Sequence, residues 1–565
     1  MTVDYQKLSL DTTSFSDFIL QSKIYVDKTD LIASLARRDY PIFLARPRRF
    51  GKSTLVSTFE ELFAHGLEKF KGLKIDTQNL WHDKTYKVLH LDLSYIKENT
   101  NEFSFSSKFQ EIIVSGLNDL GIETTRSSYA VTSFKNAIKK LPNRSLVLLI
   151  DEYDAPLTTA MGDPIEFNRR RNIISEFFLS IKSYSAKFRF IFITGVTRYS
   201  HVSIFSAFNN IIDLSFNPQY GAILGYTQEE LEFYFKDYLE NAAHALNEEN
   251  NTNTYTYELV LQKVKDHYDG YSFDKKCRTH VYNPWSILNF LSAPQDGFGN
   301  YWLETGGSQP SILVNYFKSV IDRKIDKSEL LNYLGDNIEI PVELDSLCPT
   351  IESIEESTFP FEAILYQAGY FTLKRVDDLD YYIGIPNVEV EKAFIKIVIE
   401  NLINKSTQQF RLQHKQEARD ALNHKDLKGF KDLLNVILNE FSYESLPSFK
   451  EVHFRDVFKV MLCCMGFVAY TEYQTAQGRS DLNVITDKYL YVIEFKVISD
   501  NDPALIAKAL NIAKEQIKDR KYNLRLDSFN KREVVPLACV IVNQSKDATH
   551  DKPYRELVEL VEVSS

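Results

Sequence analysis

Five short apolar runs, separated by helix-length stretches, constrain this 565-residue chain more than any other feature of its sequence. They are PIFLA (41–45), YKVLHLDLS (86–94), SLVLLID (145–151), FRFIFITG (188–195) and NIIDLSF (210–216). Runs this short and continuously apolar fit strands buried on both faces, and the long connections between them require crossovers. The pattern predicts an α/β fold, with a parallel sheet covered by helices on both sides. Such sheets bind ligands beyond the carboxyl ends of their strands, so the residues just after each run are where chemistry is expected.

The first run is followed by RPRRFGKST (46–54) and a helix-forming stretch. A phosphate-binding loop needs backbone N–H groups facing anionic oxygens, a lysine for the terminal phosphates and a hydroxyl for magnesium. Gly51, Lys52 and Ser53 supply the end of that pattern, although its first glycine would fall at Arg46. A bare Gly-Lys-Ser also occurs by chance in basic turns, so position has to decide. The third run ends in Asp151-Glu152, where a P-loop ATPase places its magnesium aspartate and its water-orienting glutamate. The fourth ends in Thr194, with Arg198 four residues on; a polar strand end can orient water and an arginine can neutralise charge on phosphate. Three strand ends carry three consistent parts of one site.

These residues resemble a known family. YVDKT (25–29), RPRRFGKS (46–53), LIDEYDAP (149–156) and TGVTRYSHVSIFS (194–206) are similar to the predicted AAA-ATPase-like family found fused to nuclease domains in bacteria. YDGYSF (268–273), YNPWSILNFL (282–291), YWLETGG (301–307) and YQAGYFTL (366–373) extend the similarity over nearly the whole chain, with 400–450 weakest. The family's own loop is similar to RPRRFGKS, so Arg46 is no departure from it. The resemblance implies a P-loop NTPase-like domain over 1–220 that binds ATP and Mg²⁺. It also implies a nucleotide loop of Arg46, Arg48, Arg49, Gly51, Lys52, Ser53 and Thr54, joined by Asp151, Thr194 and Arg198. Ser53 and Asp151 would hold the metal, and Glu152 would be catalytic.

Residues 221–400 offer packing more than chemistry. TQEELEFYFKDYLENAAHAL (227–246) reads as a helix and NEENNTNTYT (247–256) as a polar loop. Trp285, Trp302, Tyr301 and Phe290 could cage a ligand, but aromatics at such density more often build core. The alternation in YFTLKRVDDLDYYIGIP (370–386) predicts a β-hairpin, which with preceding helices gives a winged-helix-like lid. A helical connector is expected over 401–450, with LNVILNEF (434–441) as its apolar stripe and SYESLPSF (442–449) as a linker.

The last segment, 451–565, carries a second constellation. The helical stretch FRDVFKVMLCCMGF (454–467) precedes GRSDLNVIT (478–486) and YLYVIEFKV (489–497). Residues two apart on a strand share a face, so Glu494 and Lys496 project together while Phe495 packs behind them. A hairpin partner can bring Asp481 alongside. Two carboxylates make a hard-oxygen site suited to Mg²⁺, with Mn²⁺ as a substitute. The lysine can position the attacking water and stabilise charge on a phosphodiester. An isolated Glu-x-Lys is otherwise an edge-strand ion pair. PALIAKALNIAKEQIKDRKY (503–522) predicts a helix with Leu505, Ala509, Ile512 and Gln516 along one face. Residues 508–533 hold eight Lys/Arg against four Asp/Glu, a local basic patch beside an acidic site, as a phosphodiester enzyme needs. Gly478, Asp481, Glu494-Phe495-Lys496, Gln516 and Tyr522 together resemble the PD-(D/E)XK nuclease superfamily, in its exonuclease-like branch. The resemblance implies catalytic Asp481, Glu494, Lys496 and Gln516 in an α/β nuclease-like domain, with Glu451 as the candidate first-helix glutamate.

The net charge of −11 excludes a chain that coats DNA or anionic membrane non-specifically, so any contact with DNA must be a local patch. No apolar run reaches the roughly 18–20 residues that span a bilayer. The five cysteines show neither a disulfide framework nor zinc-ligand spacing, and the N-terminal stretch lacks a signal-peptide core. A cytoplasmic protein is expected, with DNA and further copies of itself as partners and no membrane. The alternative is a nucleotide-switched scaffold or a DNA-binding protein in which one or both sites are inactive.

Overall fold

A computed structural model describes residues 3–96, 102–124, 129–160, 163–198, 211–304, 333, 338–348, 360–378, 380–402, 407–440, 449–475, 478–519, 532–543 and 557–563. The chain divides into two compact units, Met1–Ser319 with Glu339–Glu391, and Val320–Ile338 with Lys392–Ser565.

The first unit is built on five parallel strands: β1 (Ile42–Ala45), β2 (Lys87–Asp92), β3 (Leu146–Asp151), β4 (Phe188–Gly195) and β5 (Ile212–Asp213). They lie in the order β2-β3-β4-β1-β5. Every residue of β1, β3 and β4 is buried, as expected of strands covered on both faces. Helix α1 (Lys52–His65) covers one face, where Phe59 meets Phe190 and Phe192 at 5.1 and 5.0 Å. Helices α2 (Glu102–Asp119), α3 (Ala130–Lys139) and α4 (Pro164–Ser183) cover the other, with Phe109, Phe134 and Phe177 packed beside Leu91, Ile191 and Ile193. Alternate residues of β4 therefore serve opposite cores. The fifth run yields only a two-residue strand, because the Asp213 carboxylate turns back to accept the Ser215 amide at 2.8 Å. The Ser215 hydroxyl then takes the Ala45 amide at 2.9 Å.

Helices α5 (Gln228–Glu249), α6 (Tyr257–Tyr268) and α7 (Pro284–Ser292) enclose a second core in the same unit. Thr227 and Glu230 close a reciprocal capping box at the start of α5. That helix runs on to Glu249, so the polar loop starts three residues later than expected. Helix α8 (Phe361–Ala368) is followed by the expected hairpin, to which β6 (Ile340–Val342) adds a third strand beside β8 (Asp380–Gly384) and β7 (Thr372–Asp377). Gly369 ends α8 at φ 85°, and a Cβ there would lie 2.8 Å from Pro47, so this module packs directly against the loop after β1.

In the second unit, α9 (Leu427–Asn439) and α10 (Glu451–Cys464) precede the strands β9 (Val468–Thr475), β10 (Gly478–Ile485), β11 (Tyr489–Ile498), β12 (Glu533–Val542) and β13 (Val558–Glu562). The sheet order is β13-β12-β11-β10-β9; β11 and β12 are parallel and the other pairs antiparallel. Helix α11 (Pro503–Asp519) makes the crossover. Phe430 of α9 and Phe458 of α10 pack on Tyr491 and Phe495, whereas α11 covers Leu490 and Val492 on the opposite face. Of the four residues expected along one face of α11, Ala509 is buried, joined on the sheet side by Ala513 and Ile517, while Leu505 and Ile512 are 41% and 42% exposed. Two alanines four apart let the helix sit close to the strands, which larger side chains would prevent. Most of the 442–449 linker, Tyr522 and the patch between residues 520 and 531 lie outside the described residues.

Candidate active sites

Six residues join β1 to α1, and their backbone bends twice through left-handed conformations, at Arg49 (φ 71°) and Gly51 (φ 93°). Gly51 accepts this without strain and delivers the N-terminus of α1. Lys52 is buried, with its ammonium 3.3 Å from the Pro47 carbonyl and 3.5 Å from Glu152 Oε1. Burial raises the pKa of the Asp151 carboxylate, and the neighbouring Ser53 hydroxyl partly opposes that rise. Glu152 stands in a left-handed conformation (φ 49°), and its amide donates to Asp151 Oδ1 at 2.9 Å. The loop and the β3 terminus thus meet as two cross-pairs, Ser53 with Asp151 and Lys52 with Glu152.

The flanking arginines divide. Arg48 and Arg49 are exposed, and Arg49 lies 4.1 Å over the Trp285 ring. Arg46 is buried; its guanidinium donates to the Ala45, Ser215 and Tyr220 carbonyls at 2.8, 2.8 and 3.2 Å and covers Phe273. Burial lowers its pKa to about 10. Its side chain pins the loop to the 215–220 segment and is committed there, not to a ligand. Thr194 is likewise committed, its hydroxyl donating to the Leu44 carbonyl at 2.7 Å. Arg198 is held by Asp213 and the Cys348 thiol and lies 4.8 Å over Phe216.

Beside the loop a cavity of about 330 Å³ opens, lined among others by Tyr25, Lys28, Gly51, Thr54, Leu224 and Trp285. It falls in the range of small-molecule sites and combines apolar walls with few polar groups. Lys28 donates to the Ala222 carbonyl at 2.5 Å and to Glu230 at 2.7 Å. Burial lowers its pKa and Glu230 opposes the shift.

In the second unit the β10–β11 hairpin pairs Leu482 with Ile493; one step further along this register Asp481 comes opposite Glu494. Asp481 Oδ2 accepts the Phe495 amide at 2.8 Å. Glu494 is 2% exposed, and the Lys496 ammonium lies 3.9 Å from its Oε1, 3.4 Å from Glu451 Oε1 and 2.6 Å from the Phe495 carbonyl. Burial raises the pKa of Glu451; Lys496 lowers it and Asp481 raises it, which places Glu451 in the same field. Gln516 Oε1 of α11 is buried without a hydrogen-bond partner. Three carboxylates and a lysine therefore lie together at one end of the sheet.

Residues 9–205 match the family model of a predicted AAA-ATPase, and residues 449–551 that of the PD-(D/E)XK nuclease superfamily. The chain joins an AAA-ATPase-like domain to a PD-(D/E)XK nuclease superfamily domain. It is also 27% identical over 511 residues to an uncharacterized protein in the vnfD 5' region of Azotobacter chroococcum mcd 1, covering 88% of this chain and 89% of that one.

The AAA-ATPase-like domain fits a nucleotide with its magnesium: the Ser53 hydroxyl and the Asp151 carboxylate are neighbours where the ion would be held, beside the Lys52 ammonium. The nuclease superfamily domain fits a divalent cation on different grounds. Among the described residues no three His, Cys, Asp or Glu side chains converge as a metal cluster. Asp481 and Glu494 alone would hold the ion, leaving the remaining positions to water and substrate, as magnesium prefers. Of the four aromatics that could cage a ligand, Trp285 lines the cavity of the first unit, whereas sequence reasoning did not single out Tyr25 and Lys28 of YVDKT as its walls. Among the described residues no helix is long and apolar enough to cross a membrane.

Proposed function

We propose that the AAA-ATPase-like domain binds and hydrolyses ATP and that the nuclease superfamily domain cleaves DNA phosphodiesters with magnesium. The two cross-pairs where the loop meets the end of β3 carry the first half of this reading, with a cavity lined by Gly51 and Thr54 of the same segment beside them. Lys52 is the charge for the terminal phosphates, Ser53 and Asp151 hold the magnesium, and Glu152 orients water. The cavity takes the nucleoside, and Arg48, Arg49 and Thr54 line its approach. In the nuclease domain Lys496 orients water and stabilises charge on the scissile phosphate, while Asp481 and Glu494 hold the ion and Glu451 tunes the lysine. Magnesium supplies Lewis acidity at the phosphate in both sites. Exposed Lys508 and Lys518 of α11 offer phosphate contacts for DNA. The pairing suits action on foreign DNA or DNA processing in the cytoplasm, with self-association of the chain.

Purified protein incubated with labelled ATP and with DNA, each with and without magnesium, tests both halves. Lys52→Ala is expected to abolish nucleotide binding or turnover; unchanged affinity and hydrolysis would remove the loop assignment. One observation favours a second reading, a nucleotide-operated switch with slow hydrolysis: Thr194 and Arg198 are both engaged within the fold. Under that reading a single-turnover assay shows ATP retained and product forming far more slowly than it binds.

A further inference from the structure

The turn that carries Glu152 is tied to the end of β4 by bonds that nucleotide chemistry does not itself require. Asp154 is 2% exposed; its Oδ1 accepts the Val196 amide at 3.1 Å and its Oδ2 the Thr197 amide at 2.6 Å. The neighbouring Tyr153 adds two more ties, its amide donating to the Thr194 carbonyl at 3.2 Å and its hydroxyl to the Thr197 carbonyl at 2.8 Å. Gly195 lies inside this clasp, and a Cβ there would sit 2.2 Å from Asp154 Oδ1 and 2.7 Å from the Tyr153 ring. Only glycine permits so close an approach. The segment continues into Arg198, whose amide donates to Gln367 at 2.8 Å.

We propose that Asp154 is a positioning residue for ATP turnover, which clamps the β3 turn to the end of β4 and so holds Glu152 in one orientation toward the phosphate site. This rests on the reading of the first unit as an ATPase. Glu152 itself adopts a left-handed backbone, an arrangement that persists only where its surroundings enforce it. Enforcement by Asp154 needs a carboxylate: two amides approach two separate oxygens, and an asparagine offers one acceptor and one clashing donor. The charged groups acting on Asp154 are Glu152 in its own turn and Lys52 from α1. Burial, then Glu152, push its pKa up to about 6, against the Thr197 hydrogen bond and Lys52. Protonation at mildly acidic pH therefore takes away one acceptor and loosens the clamp.

The test is steady-state ATP hydrolysis across pH by full-length wild type and Asp154→Asn, together with binding of a fluorescent ATP analogue. The expected result is a kcat lowered on the order of 10²-fold, as for a small misplacement of a catalytic group, with nucleotide affinity unchanged. Wild-type kcat should also fall as pH drops through the Asp154 titration, and the variant should lack that limb. Wild-type kcat in Asp154→Asn overturns the proposal, as does a parallel loss of binding and turnover, which marks a purely structural role. If Asp154→Asn does not fold, Tyr153→Phe removes only the hydroxyl tie to Thr197. A lowered kcat at constant affinity then supports the clamp, and an unchanged kcat overturns it. Wild type that binds but never turns over ATP overturns the ATPase reading itself, a failure recognised in the parent protein before any variant is compared.

Discussion

Lys52 and Glu152 lie 3.5 Å apart at the meeting of α1 and β3, yet their roles separate cleanly. In the proposed reading the lysine answers to phosphate charge and the glutamate to water, so removing each is expected to produce a different kinetic signature. Glu152→Gln keeps the side chain's size and its half-buried place, and abolishes its basicity. It is expected to bind ATP as wild type does and to lose turnover by about 10²–10⁴-fold, the usual contribution of a positioned base. An equal loss of nucleotide binding, measured by equilibrium dialysis, would give Glu152 a structural role instead. Lys496 allows a parallel argument in the second site, because its ammonium reaches both Glu451 and Glu494 without being a metal ligand. Lys496→Ala should therefore retain magnesium affinity by calorimetry while DNA cleavage drops about 10²–10³-fold, the loss typical of one oriented charge-stabilising group. A well-folded Lys496→Ala protein that cuts at the wild-type rate ends the assignment.

Elements were legible in the sequence where periodicity and burial agree. Strands β1, β3 and β4 are buried on both faces, so their apolar runs mark them to within a residue, and Phe188–Gly195 coincides with its run. Asp481, Glu494 and Lys496 were legible for a related reason: strand alternation alone puts Glu494 and Lys496 on one face, and the hairpin supplies Asp481. What the sequence did not reveal was decided by tertiary partners. Arg46 and Arg198 look like phosphate ligands by position, but carbonyls of the 215–220 segment and the Asp213 carboxylate claim them, and no local pattern announces such long-range capture. On α11 the leucine and isoleucine outrank the alanines in hydrophobicity, yet Ala509 and Ala513 face the sheet because the helix packs close. That correction is testable. Ala513→Leu should overpack the α11–sheet interface and cost about 1–3 kcal/mol. It should also displace Gln516, so the melting temperature of the second unit and DNA cleavage fall together. Ile512→Ser, at an exposed position, should change stability by no more than about 0.5 kcal/mol. The reverse order of the two variants in a thermal melt would restore the other face of the helix.

Across the whole molecule, the two acidic sites belong to separate compact units of one chain. Under the proposed reading each unit carries its own set of groups: the Ser53–Asp151 and Lys52–Glu152 pairs in one, Asp481, Glu494 and Lys496 in the other. Nothing within either site requires the other, so any dependence of DNA cleavage on ATP is a property of the joined chain and can be measured as a coupling free energy. The coupled reading predicts that ATP raises cleavage by wild type and has no effect on Lys52→Ala, which cannot hold the nucleotide. Lys496→Ala, conversely, should hydrolyse ATP at the wild-type rate while cutting nothing. Manganese should replace magnesium in cleavage because it accepts the same octahedral oxygen sites; calcium, larger and less strict in geometry, should bind without supporting turnover. The decisive comparison is cleavage by wild type and Lys52→Ala, each with and without ATP. Four equal rates mean two independent enzymes on one chain, whereas ATP stimulation confined to wild type shows that nucleotide occupancy in the first unit governs phosphodiester chemistry in the second.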